Sequence, residues 1–418
     1  MKILMLFIDA LRVDKLSLFN NEIKNEVYLD KYIRELGGEL FNNCFTSSPD
    51  TYRSLASLFT GKNSDVSNCN SYSKPLFPFC ESKTIWDIAL QNNFYIDIFH
   101  PIFENYIFPK KIQNNISKEI NIRHFKNNLK LKNNHLVWIG LDDFRHYSYY
   151  DKYNHKNIFK NLNKLGDVLK ILNKEFIDEF DHVFIFSDHG ILFDNEFLKL
   201  SAKKFEILDE KRTQVFLFYK QKNDDYLKIN NNLLYLSDMY EVIISLLAEK
   251  KVRKIKKREY LLVEDMDFSS MNLTSKPVVY SLITNKYIYI RSFIQKIGTI
   301  YNKPEDDKAY YIDRINNTRF YIQPDKNKDN IMFTNQNFLD IYKIYYFWMK
   351  KNTENIKLKK EIGIVGDGDL NSFGEIITHK NEFSLFNIIK LIKLLMPPIF
   401  YQNIKKLIKF ILLKKTKG

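Results

Sequence analysis

An α/β fold on a parallel-rich central sheet is the architecture this sequence predicts, and three observations carry the prediction. Short unbroken apolar runs recur along the first half of the chain, helical patterns separate them, and several runs end on Asp or His. Apolar runs of this length without alternation suit strands buried on both faces. Strand–helix alternation then brings the carboxyl ends of the strands, and any ligand, to one edge of the sheet.

Taken in order, residues 3–8 form the first strand and Asp9 closes it. A helical pattern over 29–36 follows, and then a polar loop feeds a short helix at 54–59 that stops at Gly61. Helix 84–91 precedes strand 95–99, strand 136–141 precedes a long helix over 158–180, and strands 183–186 and 215–219 precede helix 236–249. From Val278 to about Gln323 the text changes to Tyr/Ile-rich strand pairs, 278–283 and 286–292, which predict a small antiparallel annex. From Asn335 onward helices dominate, broken by a Gly/Asp loop at 363–374. The expected division is a core at 1–275, an annex at 276–334 packing on it, and a helical region at 335–418.

Composition narrows the class. With 45% hydrophobic and 15% aromatic residues the chain can bury a large core, which excludes a disordered protein. Only 12 Gly and 10 Pro among 418 residues exclude collagen-like or linker-rich chains. A formal net charge of +14 points to an anionic partner. Cys44, Cys69 and Cys80 are too few and too unpatterned for a disulfide framework or a zinc ribbon, so reduced thiols are expected. Asp9 interrupts the opening apolar run before it reaches signal-peptide length, and no stretch has the ~18 apolar residues of a spanning helix. The expectation is a cytoplasmic protein, peripheral at the inner membrane face.

Carboxylates and histidines gather where strands end. Asp188 and His189 follow strand 183–186 and precede Gly190, a metal-site arrangement in which the glycine lets the backbone turn away. The alternative is a helix-capping Asp beside a surface His. Asp142 and His146 follow strand 136–141 at a spacing of four, which puts both on one helical face, although an ordinary solvated turn reads the same way. Thr51 sits at or just before the start of helix 54–59, where free N–H groups favour an anion or alkoxide; a plain N-cap is the competing role.

These residues resemble a family in their order. Phe7-Ile-Asp9-Ala-Leu-Arg12-Val-Asp14-Lys-Leu16 resembles the opening Asp-x-x-Arg-x-Asp-x-Leu segment of sulfatase-like proteins of the alkaline phosphatase superfamily. Residues 41–51, running on to Gly61, are similar to that family's nucleophile segment, with its ten-residue spacing from nucleophile to glycine. Residues 84–94 resemble the helix and strand that follow, and Ser187-Asp-His-Gly190 resembles the metal-binding strand end, so the likeness spans roughly residues 1–300.

Two departures bear on the chemistry that the resemblance implies. Sulfatases place Cys or Ser, then Pro and Arg, at the nucleophile and oxidise it to formylglycine; Thr51, followed by Tyr52 and Arg53, cannot give that aldehyde. An unmodified Thr nucleophile resembles the phosphodiesterase and phosphotransferase branches, such as lipoteichoic acid synthases and phosphoethanolamine transferases. Asp–His in place of the Asp–Asn of calcium-binding sulfatases shifts the expected metal toward zinc or manganese.

The resemblance therefore implies one tight divalent metal on Asp9, Thr51, Asp188 and His189, with Thr51 attacking phosphorus and a phosphothreonine intermediate. His146 would bind a second metal with Asp142, or bind the substrate phosphate or protonate the leaving group. A second metal would need a late histidine; His379 is the one histidine after His189, and its surroundings match poorly. Arg12 and Arg53 are candidate phosphate contacts, with structural salt bridges as the alternative. His100 ends strand 95–99 and is a candidate for the site rim, with an exposed neutral histidine as the alternative. The implied substrate is a phosphorylated glycan or a lipid-linked cell-envelope molecule. A sulfuric-ester hydrolase and a non-catalytic scaffold of the same fold at the membrane are the alternatives.

The charge divides unevenly. Residues 384–418 carry eight lysines and no Asp or Glu, leaving about +6 of the +14 for the rest. Ile404, Leu407, Ile408 and Ile411 form one helical stripe flanked by lysines, which predicts an interfacial helix on anionic lipid or a helix docked on the core. The absence of Arg and the scarcity of aromatic interleaving in this tail disfavour nucleic acid.

Overall fold

The structure, a computed structural model, describes residues 1–24, 26–62, 83–100, 108–117, 121–141, 155–190, 208–255, 257–265, 279–285, 287–292, 309–313 and 318–322. In chain order the elements begin with β1 (Lys2–Ile8), α1 (Tyr28–Leu36), β2 (Gly38–Phe41), β3 (Cys44–Phe45), α2 (Thr51–Thr60), α3 (Ile85–Gln91), β4 (Tyr95–Phe99), α4 (Ile122–Asn128) and β5 (His135–Leu141). They continue with α5 (His155–Ile171), α6 (Lys174–Ile177), β6 (His182–Phe186), α7 (Glu210–Thr213), β7 (Leu217–Gln221), β8 (Leu227–Asn230), β9 (Leu234–Tyr235) and α8 (Met239–Glu249).

Seven strands form the central sheet in the order β4-β5-β1-β6-β7-β2-β8. All neighbours are parallel except at β7, which runs against both β6 and β2. Alternation along β1 explains why its sequence reads as one apolar run. Ile3, Met5 and Phe7 enter a cluster with residues of α2, α3 and α8, while Leu4, Leu6 and Ile8 enter a second cluster with residues of α1 and α5 on the other face. Both faces are covered from Ile3 onward, and every residue there is apolar; Lys2 sits at the half-buried start.

The last of the predicted core strands differs in direction and register: 215–219 was expected parallel, and β7 runs antiparallel over Leu217–Gln221. An apolar run reports burial on two faces and carries no information about direction. The single helix expected over 158–180 is two, α5 and α6, because Asn173 leaves the helical backbone as the N-cap of the second.

A five-stranded antiparallel sheet follows in the order β10-β11-β12-β13-β14, with β10 (Leu261–Asp265), β11 (Val279–Ile283), β12 (Tyr287–Ser292), β13 (Ala309–Asp313) and β14 (Thr318–Ile322). Its first strand lies upstream of residue 276. Leu261, Val263, Ile283 and Ile288 share a buried cluster with Phe45, Leu233 and Tyr235 of the core. Cys44 is a buried free thiol, its pKa pushed well up by burial. Cys69, Cys80 and the helical region expected over 335–418, with its basic tail, lie outside the described residues. Among the described residues no helix is long and apolar enough to cross a membrane.

Candidate active site

Sheet register assembles the site. Phe7 of β1 stands opposite Phe186 of β6 in parallel pairing, so two residues further on Asp9 and Asp188 emerge together at the carboxyl edge. Ala10 turns the chain there with a left-handed φ of 54°, a conformation that costs a non-glycine residue about 1 kcal/mol or more. The turn aims the Ala10 N–H at Asp188, whose Oδ1 accepts it at 3.0 Å together with the His189 N–H at 2.8 Å. Burial pushes the Asp188 carboxyl up to about 6, against the lowering effect of those two N–H groups.

Helix α2 delivers the hydroxyl. Asp50, rather than Thr51, is the N-cap: its side chain accepts from the Arg53 N–H at 3.0 Å, which leaves Thr51 as the first helical residue. The buried Thr51 Oγ1 lies 3.2 Å from Asp9 Oδ1 and 3.2 Å from His189 Nε2. His189 Nδ1 sits 2.7 Å from the Gly190 carbonyl, an acceptor, so Nδ1 carries a proton and, in the neutral ring, Nε2 presents a lone pair. That lone pair faces Asp188 Oδ2 at 3.4 Å and Asp9 Oδ1 at 3.8 Å.

The donor set suits a divalent cation. One ligand atom from each of Asp9, Asp188 and His189 lies within 4.8 Å of the others, and all three residues are buried. Oδ2 of Asp188 accepts no hydrogen bond although it is fully enclosed. Two enclosed carboxylates facing an imidazole lone pair repel one another unless a cation shares their charge, so the residues fit a metal.

A brace around these groups carried no signal in the sequence. Ser54, one turn along α2 from Thr51, donates to the Asp188 carbonyl at 2.9 Å and lies 2.9 Å from the Thr46 hydroxyl. Arg212, buried on α7, donates from Nη2 to the Pro49 carbonyl at 3.0 Å, while its own carbonyl accepts the Gly190 N–H at 2.8 Å. Arg212 thus touches both halves of the site, two residues before Thr51 and one after His189. Gly190 permits the approach, because a Cβ there would meet the Lys211 carbonyl oxygen at 2.0 Å.

The arginines expected at the substrate are in ion pairs. Arg12 Nε and Nη2 engage both Asp14 oxygens at 2.6 and 2.8 Å, and buried Arg53 pairs through Nε with Asp50. His100 is not an exposed histidine. It is buried, accepts from Trp138 Nε1 at 3.0 Å and stacks on that ring. Asp142, His146 and His379 lie outside the described residues.

No family model and no curated protein matches the sequence. Solved structures do match in fold. A putative sulfatase from Bacteroides thetaiotaomicron aligns over 86% of this chain and 93% of its own, with a TM-score of 0.56 at 12% identity. The putative sulfatase YidJ from Bacteroides fragilis aligns over 84% and 96%, with a TM-score of 0.52 at 13% identity. A protein solved in complex with its substrate D-glucosamine-2-N,6-O-disulfate aligns over 85% and 98%, with a TM-score of 0.56 at 11% identity. The chain therefore has the α/β fold of these sulfatase structures.

Proposed function

We propose that the protein is a metal-dependent phosphotransferase or phosphodiesterase with Thr51 as its nucleophile. The observation that carries this reading is the Thr51 hydroxyl, enclosed 3.2 Å from both the Asp9 carboxylate and His189 Nε2 at the start of a helix. Asp9, Asp188, His189 and the Thr51 hydroxyl would hold one divalent ion, zinc or manganese ahead of calcium because of the imidazole. When bound, such an ion supplies charge to a phosphoryl oxygen and lowers the pKa of a coordinated hydroxyl.

The chain's own groups account for the rest. Asp9 Oδ1 accepts from the Thr51 hydroxyl and so orients an oxygen lone pair outward. Free N–H groups at the first turn of α2 favour the negative charge that develops as Thr51 loses its proton. Attack on phosphorus forms the Thr51–O–P bond and breaks the P–O bond to the leaving alcohol, which takes up a proton. Water or a sugar hydroxyl then attacks the phosphothreonine and returns the Thr51 hydroxyl. A phosphorylated glycan or lipid-linked molecule is the substrate class that the sequence resemblance supports, and Asp142 with His146 would serve a second metal or the leaving group.

Likeness to sulfatases favours a second reading, hydrolysis of a sulfate ester at the same cluster. Against it stands the side chain itself, since threonine yields no aldehyde. Substitution Thr51→Ala should abolish turnover of a bis-aryl phosphodiester and leave the metal bound, checked by elemental analysis. Undiminished turnover would remove Thr51 from the chemistry. Faster turnover of an aryl sulfate than of the diester by the unaltered protein would move the assignment to the sulfatase reading. A protein binding no zinc or manganese and turning over neither ester would be a scaffold.

A further inference from the structure

Residues 250–258 read Lys-Lys-Val-Arg-Lys-Ile-Lys-Lys-Arg, seven basic residues with no acidic one, bordered by Glu259. They join α8 to β10; Lys256 lies outside the described residues, and the backbone on either side of it is held. Lys250 ends α8 in a left-handed turn with φ 54°. The Lys251 carbonyl accepts from the Ser245 hydroxyl at 2.9 Å, and the Arg258 N–H donates to the Leu233 carbonyl at 3.0 Å. Ile255 packs against the core cluster that contains α8.

Within this loop the arginines and the lysines are treated differently. Arg253 pairs with Glu241 at 3.3 Å and with Glu249. Arg258 grips both Asp238 oxygens through Nε, at 2.8 and 3.1 Å, and lies over the Tyr235 ring. Glu241, Glu249 and Asp238 are thereby used, which leaves the exposed Glu259 at the border as the acidic neighbour in the chain. Lys250, Lys251, Lys254 and Lys257 form no ion pair among the described residues, and all four are exposed. Beside them Val252 and Tyr260 are 42% and 39% exposed, two of six large apolar side chains that open to solvent among the described residues. Ordinary surfaces intersperse the two signs of charge and keep apolar side chains scattered. Here a held loop gathers four unpaired ammonium groups around two apolar ones.

We propose that this loop is a docking surface for an anionic phospholipid membrane. Lysines act on a charged leaflet as point charges through diffuse attraction, each worth roughly fivefold in partitioning. Val252 and the Tyr260 ring gain only where an apolar boundary lies beneath the headgroups. Nucleic acid fits less well. The guanidinium forks that would grip a phosphodiester are tied to carboxylates, and a single exposed ring offers little for stacking bases. The inference stands on the loop alone and is independent of the chemistry at Thr51.

Co-sedimentation of the full chain with phosphatidylcholine vesicles, with and without phosphatidylglycerol, tests it. The unaltered protein should partition onto the phosphatidylglycerol vesicles and release as salt shortens the screening length below about 8 Å. Replacing Lys250, Lys251, Lys254 and Lys257 together by Gln should lower that partitioning by at least about tenfold, with an unchanged thermal midpoint because all four are exposed. Val252→Ser should weaken binding at low salt while leaving the steepness of the salt dependence unchanged, because it removes no charge. Equal partitioning of the unaltered and four-Gln proteins would overturn the proposal, since any membrane binding would then lie elsewhere. Absence of binding by the unaltered protein would overturn it too, as would a four-Gln protein that loses affinity for duplex DNA and keeps its affinity for vesicles.

Discussion

Two carboxylates and an imidazole enclosed at one sheet edge put Asp188 under strain that pH can read. Burial raises its carboxyl from an ordinary 3.8 to about 6, so the folded metal-free protein holds this proton more tightly than the unfolded chain does. The sign follows from that order. The contribution of Asp188 to stability is present below pH 3.8 and is lost as pH rises through about 6, a change of about 3 kcal/mol. Urea unfolding in chelator between pH 4 and 7 should therefore show a falling component that Asp188→Asn removes; an identical slope in the Asn variant would contradict the burial argument. At this scale Asp9, Thr51, Asp188 and His189 were legible because each follows or precedes an element whose end the sequence marks. His100 was not. What encloses it is Trp138 on the neighbouring strand and the bare Cα of Gly140, where a Cβ would meet the ring nitrogen at 2.4 Å, and no local pattern announces a partner on another strand.

Short elements, more than long ones, set the geometry of the site. Helix α7 spans only Glu210–Thr213, yet Arg212 on it joins the loop that leads to Thr51 to the strand end that carries Asp188 and His189. Its charged donor to a buried carbonyl is of the kind worth about 1.5–3 kcal/mol. Replacing Arg212 by Ala should lower kcat on the phosphodiester by at least about tenfold. KM and manganese affinity should hold within about threefold, because the main-chain contact to Gly190 survives. Arg212→Lys should recover part of the rate, as an ammonium can still reach the Pro49 carbonyl; a loss shared equally by kcat and metal binding would make Arg212 a general structural residue instead. The sequence pattern located α2 and its glycine stop correctly, and missed its true start because Asp50 caps it through a side-chain bond to the Arg53 N–H. It missed α7 altogether, since a single turn has no periodicity to detect.

For the whole molecule, the sequence disclosed layers better than directions. Alternate residues of β1 feed two separate clusters, which is why a buried parallel sheet could be read from unbroken apolar runs; the reversal at β7 depends on a connection that no run encodes. The body that carries the site holds less than half of the net charge, and the rest belongs to residues 384–418. The annex is tied to the core by its own small cluster and by the Tyr235 hydroxyl, which donates to the Leu262 carbonyl at 2.9 Å. Tyr235→Phe keeps the ring and loses both that bond and the one its hydroxyl accepts from the Leu262 N–H, so it should lower the unfolding free energy by about 1–3 kcal/mol without altering metal affinity; calorimetry with and without manganese checks both.

The position of β1 has one more consequence, for the order of events during synthesis. β1 is made before every other strand of the central sheet and occupies its middle, and its partners arrive late: Lys2 pairs with His135, and Ile3 with His182. A segment apolar from Ile3 to Ile8 must therefore wait, unpaired on both edges, while most of the sheet is still being translated. Loop closures this long slow folding, and exposed strands of this kind are what chaperones retain. Nascent chains stalled before His182 has emerged should stay protease-sensitive within β1, and resistance should appear only once β6 and β7 are out. The arrangement that brings Asp9 beside Asp188 makes the birth of the protein a matter of delayed closure.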